Sequence, residues 1–368
     1  MLSQHINSPH QQRSSNLVYA PSSRALFNSL TNREIAMPSS IFSPNYRASR
    51  RQALRRSLFA ALALCSSALY AQTGTIKLMV GFPPGGGTDA VARILAEKLG
   101  PVLGATVVVE NKAGAGGQLA AQALKAAAPD GTTFFLSHDH TISILPLVVK
   151  NPGFDPVKDF VPVAGFATFV NALAVSSGTP AKTFNEYLAW VKTQGNKGNV
   201  GIPAPASVPE FLVKVMGDKY KLDLQSAPYR GSAPMMADML GNQIGAGVAS
   251  VPDFIENHRA GKIRVVAVLG SARQAALPDV PTLSELGLAG FEDVPYYGIF
   301  APTGTPKAVI DRFSDALAKV VAMPDVRDRL TATGLTVAYS PPAQLDKSVL
   351  AYSQVWSRVI KASGFQAQ

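Results

Sequence analysis

The feature that most constrains the fold is a glycine-rich turn between an apolar segment and an amphipathic one, within residues 76–99. Residues Ile76–Phe82 are mostly apolar and include β-branched side chains, which favours a buried strand. From Val91 onward, apolar residues recur at i, i+3, i+4 and i+8, the spacing of one helix face. The turn Gly85–Gly87 therefore lies at a helix start. Because the first N–H groups of a helix have no partner within it, this start favours a bound carboxylate or phosphate.

The same turn has two other interpretations, a nucleotide site and a purely structural role. A nucleotide site is not supported, because no Lys-Ser or Lys-Thr pair follows and the G-x-G-x-x-G spacing is absent. A purely structural role stays open, in which the glycines form a tight turn and Thr88 caps the helix. A second glycine cluster, Gly114–Gly117, also opens a predicted helix, and an anion site and close helix packing explain it equally well.

Residues 1–71 are predicted to be a leader with an export signal. The basic segment Ser49–Arg56 precedes the apolar run Leu58–Leu69, which is too short for a typical membrane span. Small residues follow, so cleavage after Ala68 or Ala71 is expected. Met37 is a credible true start, because it shortens the basic region to an ordinary length. The signal places the mature chain outside the cytoplasm.

Two details of the export signal favour ordinary secretion. Ser49-Arg50-Arg51 approaches the twin-arginine pattern, but Ala53 stands where an aromatic residue or leucine is expected. A lipid anchor on Cys65 is disfavoured, because Leu64 before it is too large for the usual cleavage site.

Removing the leader also changes the charge of the chain. The leader carries eight Arg and one Glu, so the formal net charge falls from +10 to about +3, with 26 Lys and Arg against 23 Asp and Glu. This balance removes the main support for nucleic-acid binding. The 297 residues that remain contain no cysteine and are enough for two domains.

The mature chain is predicted to have an α/β fold. Strands and helices alternate over residues 76–137, which indicates a parallel sheet, and a second alternating unit follows over residues 184–269. Two apolar, β-prone segments, Val161–Ser176 and Val294–Pro302, are predicted to cross between these units. The final helix, Pro342–Ala362, has an apolar face that we expect to pack on the sheet.

His138-Asp139-His140 is the best candidate for catalysis. It follows a predicted strand, and the carboxyl ends of parallel strands line the crevice of open α/β sheets. Two histidines at i and i+2 can ligate zinc, but a metal site needs a third ligand, and His258 is the only other histidine after the leader. Serine hydrolase chemistry is less supported, because no G-x-S-x-G segment exists. A metal-dependent hydrolase site, a hydrogen-bonding loop over a ligand and a structural turn all stay open.

The second unit contains two further helix starts with polar residues. Ala206 and Ser207 precede a helix that begins near Val208, and Tyr229–Ser232 precede another. If these starts face the first glycine turn across a cleft, the two units grip opposite ends of one ligand. Arg230 adds positive charge to such a site or is simply solvated.

These motifs resemble a known family. Four of them occur in the family's order: Phe82–Asp89, Glu110–Gly117, Tyr229–Pro234 and Ala260–Arg264. Two further matching segments are Pro278–Thr282 and Gly298–Pro302. Over nearly all of residues 75–365 the chain resembles Bug-type solute-binding proteins of tripartite tricarboxylate transporters.

The resemblance implies a two-domain periplasmic binding protein fold, similar to type II, in which each domain is a mainly parallel sheet flanked by helices. Domain 1 would comprise residues 72–172 plus 295–368, and domain 2 residues 173–294. Such a protein captures a carboxylate-bearing small molecule between its domains and delivers it to the membrane subunits of a transporter. A ligand-sensing accessory protein of the same fold is the alternative. We expect a monomer without enzymatic activity, cofactor, metal or nucleic-acid partner.

The resemblance and the helix starts together nominate the ligand-binding residues. They are Phe82, Gly85, Gly86, Gly87, Thr88, Asp89, His138, Asp139, His140, Thr141, Ala206, Ser207, Tyr229, Arg230, Gly231, Ser232 and Ser250. The chain has Ala249-Ser250 where relatives often carry an acidic or amide pair, and His138–His140 where they carry small polar residues. These departures favour a less polar or aromatic carboxylate.

Overall fold

Two β-sheets with helices on their faces organise the part of the chain that this computed structural model describes, residues 74–195 and 197–367. The predicted leader lies outside the described residues. The strands are β1 (Thr75–Val80), β2 (Thr106–Asn111), β3 (Thr133–His138), β4 (Phe160–Thr168), β5 (Asn171–Ser176), β6 (Lys197–Ile202), β7 (Asp223–Pro228), β8 (Ala246–Ser250), β9 (Ile263–Val268), β10 (Tyr296–Pro302) and β11 (Thr336–Ser340).

Helices connect most of these strands. They are α1 (Gly87–Leu103), α2 (Gln118–Lys125), α3 (Leu145–Val148), α4 (Phe184–Thr193), α5 (Val208–Tyr220), α6 (Ser232–Leu240), α7 (Val251–Arg259), α8 (Lys307–Ala322), α9 (Pro324–Ala332) and α10 (Pro342–Ala362). A 3₁₀ turn, Ala115–Gly117, precedes α2, and a π-helical turn, His140–Ile144, precedes α3.

The first sheet has the strand order β11-β4-β10-β3-β1-β2. Strands β1, β2 and β3 pair in parallel, whereas β10 runs antiparallel to both β3 and β4, and β11 runs antiparallel to β4. The first four strands in the chain therefore share one direction. We call this sheet and the helices packed on it the first lobe.

The second sheet has the strand order β7-β6-β8-β5-β9. Its strands share one direction except β5, which runs antiparallel to its neighbours β8 and β9. The lobe built on this sheet is called the second lobe. Two sheets flanked by helices confirm the predicted α/β class. Both sheets are mixed, because the returning strands β10 and β11 and the strand β5 add antiparallel pairs, so the prediction of mainly parallel sheets is wrong in this respect.

The chain passes between the sheets at the two predicted crossings. Strand β4 ends in the first sheet, and β5 begins in the second, so Phe169 and Val170 form the first crossing. The return crossing leads into β10, and the Phe169 amide donates a hydrogen bond to the Pro295 carbonyl, at 3.1 Å. Both crossings thus lie side by side. The division into domains at residues 172/173 and 294/295 stays a prediction.

Helix α1 fixes the glycine-rich turn against the first sheet. Its residues Val91, Leu95 and Leu99 are fully buried in a core that also contains Leu78 of β1 and Phe134 of β3. Burying a side chain of this size contributes roughly 1.5–3 kcal/mol relative to leaving it exposed. The start of α1 is therefore held rigidly at the end of β1.

The last helix, α10, packs beside β4, as the sequence predicted, and it also reaches the second lobe. Tyr352 and Trp356 are buried. The Trp356 ring lies 5.7 Å, centroid to centroid, from the ring of Phe211 in α5. The apolar face of α10 therefore contacts both lobes.

Candidate functional site

A cavity of about 560 Å³ lies between the two lobes, beside both crossings. Nine of the nominated residues line it: Phe82, Gly86, Thr88, His138, Asp139, His140, Ser207, Ser232 and Ser250. The sequence did not nominate the other lining residues: Phe169, Asn171, Pro203, Ala204, Val208, Pro209, Asp253 and Tyr297. None of these described lining residues is lysine or arginine.

The turn at the start of α1 is held in shape by Asp89. The Asp89 carboxylate accepts hydrogen bonds from the Gly85 amide at 3.0 Å, Arg93 Nε at 2.9 Å and Asn111 Nδ2 at 2.9 Å. Burial alone would raise the pKa of Asp89, but these hydrogen bonds lower it below its usual value. Asp89 and Gly85 do not line the cavity. Asp89 therefore stabilises the turn from the side that faces away from the cavity.

Replacing Asp89 with alanine is expected to destabilise the fold by about 2 kcal/mol, because the Gly85 amide and the Asn111 carboxamide lose hydrogen bonds to a buried, charged acceptor. Urea unfolding at pH 7 measures this. The control is Asp325→Ala, which removes an exposed ion pair with Lys98 and should matter much less. Equal losses in the two variants would contradict the assigned role of Asp89.

A carboxylate from the second lobe accepts a hydrogen bond from one amide at the start of α1. The Gly87 amide donates to Asp253 Oδ1 at 2.7 Å, and the Ser232 hydroxyl donates to the same oxygen at 2.5 Å. The other oxygen, Oδ2, accepts from the Ser250 hydroxyl at 2.5 Å and the Ser250 amide at 3.2 Å. Asp253 thus joins the starts of α1, α6 and α7, and the Ser250–Asp253 pair is also the capping box of α7.

Gly86 and Gly87 permit this close approach between the lobes. A Cβ atom on Gly86 would lie 2.9 Å from Ser232 Oγ, and a Cβ atom on Gly87 would lie 2.9 Å from Asp253 Oδ1. Both distances are shorter than ordinary contacts. Among the described residues, the Thr88 amide has no backbone or side-chain acceptor, as expected near a helix start. It is therefore an unpaired donor on a residue that lines the cavity.

Aromatic rings form one wall of the cavity. The His138 ring stacks on Phe82 at 4.9 Å between centroids, with 19° between the planes. It meets Phe169 edge-on at 5.8 Å and Tyr297 edge-on at 5.6 Å. The Tyr297 hydroxyl lies 3.1 Å from Thr88 Oγ1, a hydrogen-bond distance. The Tyr297 hydroxyl is thus paired with Thr88, and Tyr297 is one of the residues that line the cavity.

His138 ends β3 and the chain after it is helical, so the prediction of a loop at His138–His140 is wrong, and the contact of these residues with a ligand stays a prediction. Residues 140–144 form the π-helical turn, and Ile142 and Ile144 pack in the core, which explains the helical path. His138 Nδ1 lies 3.2 Å from Asp139 Oδ1. Among residues 74–195 and 197–367, no cluster of three His, Cys, Asp or Glu side chains is arranged to hold a metal ion.

His140 is a buried, neutral histidine. Burial and, to a smaller extent, nearby His138 lower its pKa to about 4 against the opposing effect of Asp139, so the imidazole carries no charge near neutral pH. Within the described chain, its Nδ1 atom is buried without a hydrogen-bond partner. Its ring packs against Gly116, where a Cβ atom would lie 2.4 Å from Nε2. Thr141, next in the chain, donates to the Gly116 carbonyl at 2.8 Å and does not line the cavity.

The second lobe contributes polar groups of two kinds. The Ser207 hydroxyl at the start of α5 donates to the Ala204 carbonyl at 2.6 Å, and the Ala206 amide donates to Glu210 in the same turn. These groups are engaged locally, and Ala206 lies off the cavity. Asn171 differs: it is 7% exposed, lines the cavity, and its carboxamide has no partner among the described residues. Its nitrogen and oxygen are not fully enclosed by protein, so the carboxamide is open to pairing with a ligand or water in the cavity.

Tyr229, Arg230 and Gly231 line a neighbouring cavity instead of the main one. This second cavity, of about 590 Å³, also contacts Gly114–Gly116 and shares Phe82 with the first. Burial raises the pKa of Tyr229 to about 12, assisted by the Asp238 carboxylate that accepts its hydroxyl at 2.6 Å. Gly231, with φ of +101°, packs against Pro83 across the lobes.

Comparison with known proteins identifies one family. The model of the tripartite tricarboxylate transporter family receptor matches residues 91–365. A relative from Cupriavidus necator, the UPF0065 protein in the gbd 5′ region, is 34% identical over 69% of this chain and 77% of the relative. MatC from Rhodopseudomonas palustris, solved with bound malate, shows 30% identity and a TM-score of 0.72 over 78% of this chain and 99% of that one. R. palustris Rpa4515, solved with adipate, shows 26% identity and a TM-score of 0.75 over 80% of this chain and 98% of that one.

Proposed function

Because the chain belongs to the tripartite tricarboxylate transporter receptor family, we propose that it binds a carboxylate-bearing small molecule between its lobes. The bound acid is then delivered to the membrane subunits of a tripartite transporter. The family is one of solute-binding proteins, which makes a role without turnover the expected one.

The observation that carries this proposal is the set of uncharged hydrogen-bond donors in the cavity. Its donors are uncharged: the Thr88 amide at the start of α1 and the Asn171 carboxamide, with hydroxyls nearby. Backbone amides at a helix start favour a carboxylate through the partial positive charge of the helix dipole. An acid held in this way needs no lysine or arginine.

The ligands of the structural relatives agree with this chemistry. MatC was solved with malate and Rpa4515 with adipate, and both molecules carry two carboxylates. Their folds match most of this chain. A carboxylate is therefore the group that we propose for this cavity.

The proposed location is the periplasm. It rests on the export signal predicted for residues 1–71 and on the receptor description of the family. In the part of the chain that the structure describes, no helix combines the length and the apolar character that a membrane crossing requires.

A thermal-shift screen of organic acids tests the proposal. A ligand that binds only the native state raises stability by about 2.7 kcal/mol at 100 times its dissociation constant. For a chain of this size that corresponds to a rise in Tm of roughly 4 °C. The screen includes malate, adipate, hexanoate, benzoate and terephthalate, with the matching amides as neutral controls. At least one acid should raise the Tm while its amide does not; equal responses to acids and amides would contradict carboxylate binding.

A further inference from the structure

The position of Asp253 restricts which acids can enter the cavity. Its carboxylate lies where a ligand carboxylate would otherwise meet the Gly87 amide and the Ser232 hydroxyl. Both oxygens of Asp253 are fully engaged, with two donors each. The carboxylate is thus a fixed part of the cavity wall.

The charges around the cavity are unfavourable for a ligand with two carboxylates. Asp139 and Asp253 both line the cavity, and the described lining residues include no lysine or arginine. A dianion would place its second charge near one of these carboxylates without a compensating cation. Like charges in such contact oppose binding and act as a selective barrier.

The remaining surface suits a flat, apolar body. Phe82, His138, Phe169 and Tyr297 present ring faces and edges to one another at 4.9–5.8 Å. Pro203 and Val208 continue this apolar surface on the second lobe. Aromatic pairs in offset or edge-to-face geometry contribute beyond their buried area. The planar ring of a ligand can pack against these side chains in the same stacked or edge-on geometry.

The unpaired polar groups are suited to one carboxylate. Asn171 is the first residue of β5, and it pairs with Ser250 of β8. The His140 Nδ1 atom is buried without a partner in the described chain. Both groups are neutral, so neither compensates a second negative charge.

Building on the proposed function, we propose that this cavity selects acids with a single carboxylate on a flat apolar body, and that Asp253 is the residue that excludes dicarboxylates. The selection follows from the charge that Asp253 places at the start of α1. Malate and adipate, the acids bound by two relatives, are then poor ligands for this chain.

Four probes test shape and charge separately. Benzoate and terephthalate are flat with one and two carboxylates; hexanoate and adipate are flexible with one and two. Calorimetric titration of the unaltered protein should give a benzoate dissociation constant about tenfold or more below those of terephthalate and adipate. Hexanoate should bind more weakly than benzoate.

The variant Asp253→Asn tests the residue itself. It removes the charge and keeps the size, so the ratio of terephthalate to benzoate dissociation constants should fall by about tenfold. The control is Asp279→Asn, an exposed carboxylate of the same lobe that is expected to leave the ratio unchanged. A ratio that stays constant in a folded Asp253→Asn protein would overturn the role of Asp253.

The outcomes separate this inference from the proposed function. Terephthalate or adipate binding as tightly as benzoate to the unaltered protein overturns the selection for one carboxylate, and carboxylate binding as such still stands. A failure of all four acids to bind overturns the proposed function as well. Because the titrations of the unaltered protein decide between these outcomes, they do not depend on the folding of any variant.

Discussion

Replacing Gly87 with leucine is expected to raise the dissociation constant of the bound acid roughly 5- to 150-fold, since overpacking of this kind costs about 1–3 kcal/mol. A Cβ atom at Gly87 would lie 2.9 Å from Asp253 Oδ1 and 3.0 Å from Pro252 Cβ. These atoms belong to the second lobe, so the added side chain opposes the approach of the lobes around the ligand. Calorimetric titration with the acid that gives the largest thermal shift measures the loss.

The fold of the first lobe should tolerate this change. Gly87 does not require a positive φ, and the blocking atoms lie outside its own helix. The Tm of the ligand-free protein is therefore expected to change little. The matched control is Ala90→Leu, an exposed position in the first turn of α1. Similar losses of affinity in both variants, or a large loss of Tm with Gly87→Leu, would contradict the assigned role of Gly87.

Lowering the pH from 7 to about 4 is expected to cost about 3 kcal/mol of stability through His140 alone. The folded pKa of about 4 lies below the ordinary value of 6.5, because the buried imidazole is kept neutral. The unfolded state then binds more protons than the folded state in this range. The contribution of His140 is complete above pH 6.5 and is lost as the pH falls toward 4.

The variant His140→Gln isolates this effect. Glutamine is polar and does not titrate, so the pH dependence of the unfolding free energy should become shallower between pH 7 and pH 4. His258→Gln is the control: burial also lowers the pKa of His258, which is less deeply buried. Most of the pH dependence should persist in this control. An unchanged profile in His140→Gln would show that His140 is not a buried neutral group.

The glycine-rich turn shows how far sequence reasoning reaches. Local spacing predicted a strand, a turn and a helix start, and the structure has β1, the turn and α1 in this order. These features depend on neighbouring residues, so periodicity and glycine content reveal them. The two crossings were predictable for the same reason, because long apolar, β-prone segments marked them.

Contacts between distant residues were not predictable in this way. Gly87 and Asp253 are 166 positions apart, and nothing near either residue indicates the other. The sequence analysis did not single out Asp253. Its contact with the first lobe depends on how the lobes pack. Asn171 was missed because its importance comes from its place on the cavity wall, which the continuously apolar surroundings of β5 do not show.

The resemblance to a family nominated residues that the geometry separates. Tyr229, Arg230 and Gly231 were expected beside the glycine-rich turn, and they line the neighbouring cavity. Gly231 does meet the first lobe, but it contacts Pro83 and not a ligand space shared with Thr88. A motif shared with a family therefore indicates on which surface of a lobe its residues lie, but not which cavity they line. The cavity that each residue lines depends on the packing of side chains such as Phe82, which borders both cavities.

A crystal structure of the protein with the acid that stabilises it most tests the central claim most directly. The claim is that a carboxylate is bound between the lobes by uncharged donors. The expected result is density for the acid in the cavity beside Phe82 and Phe169, with its carboxylate within hydrogen-bond distance of the Thr88 amide or the Asn171 carboxamide. An acid bound only outside this cavity, or one whose carboxylate pairs with a lysine or arginine, would contradict the claim.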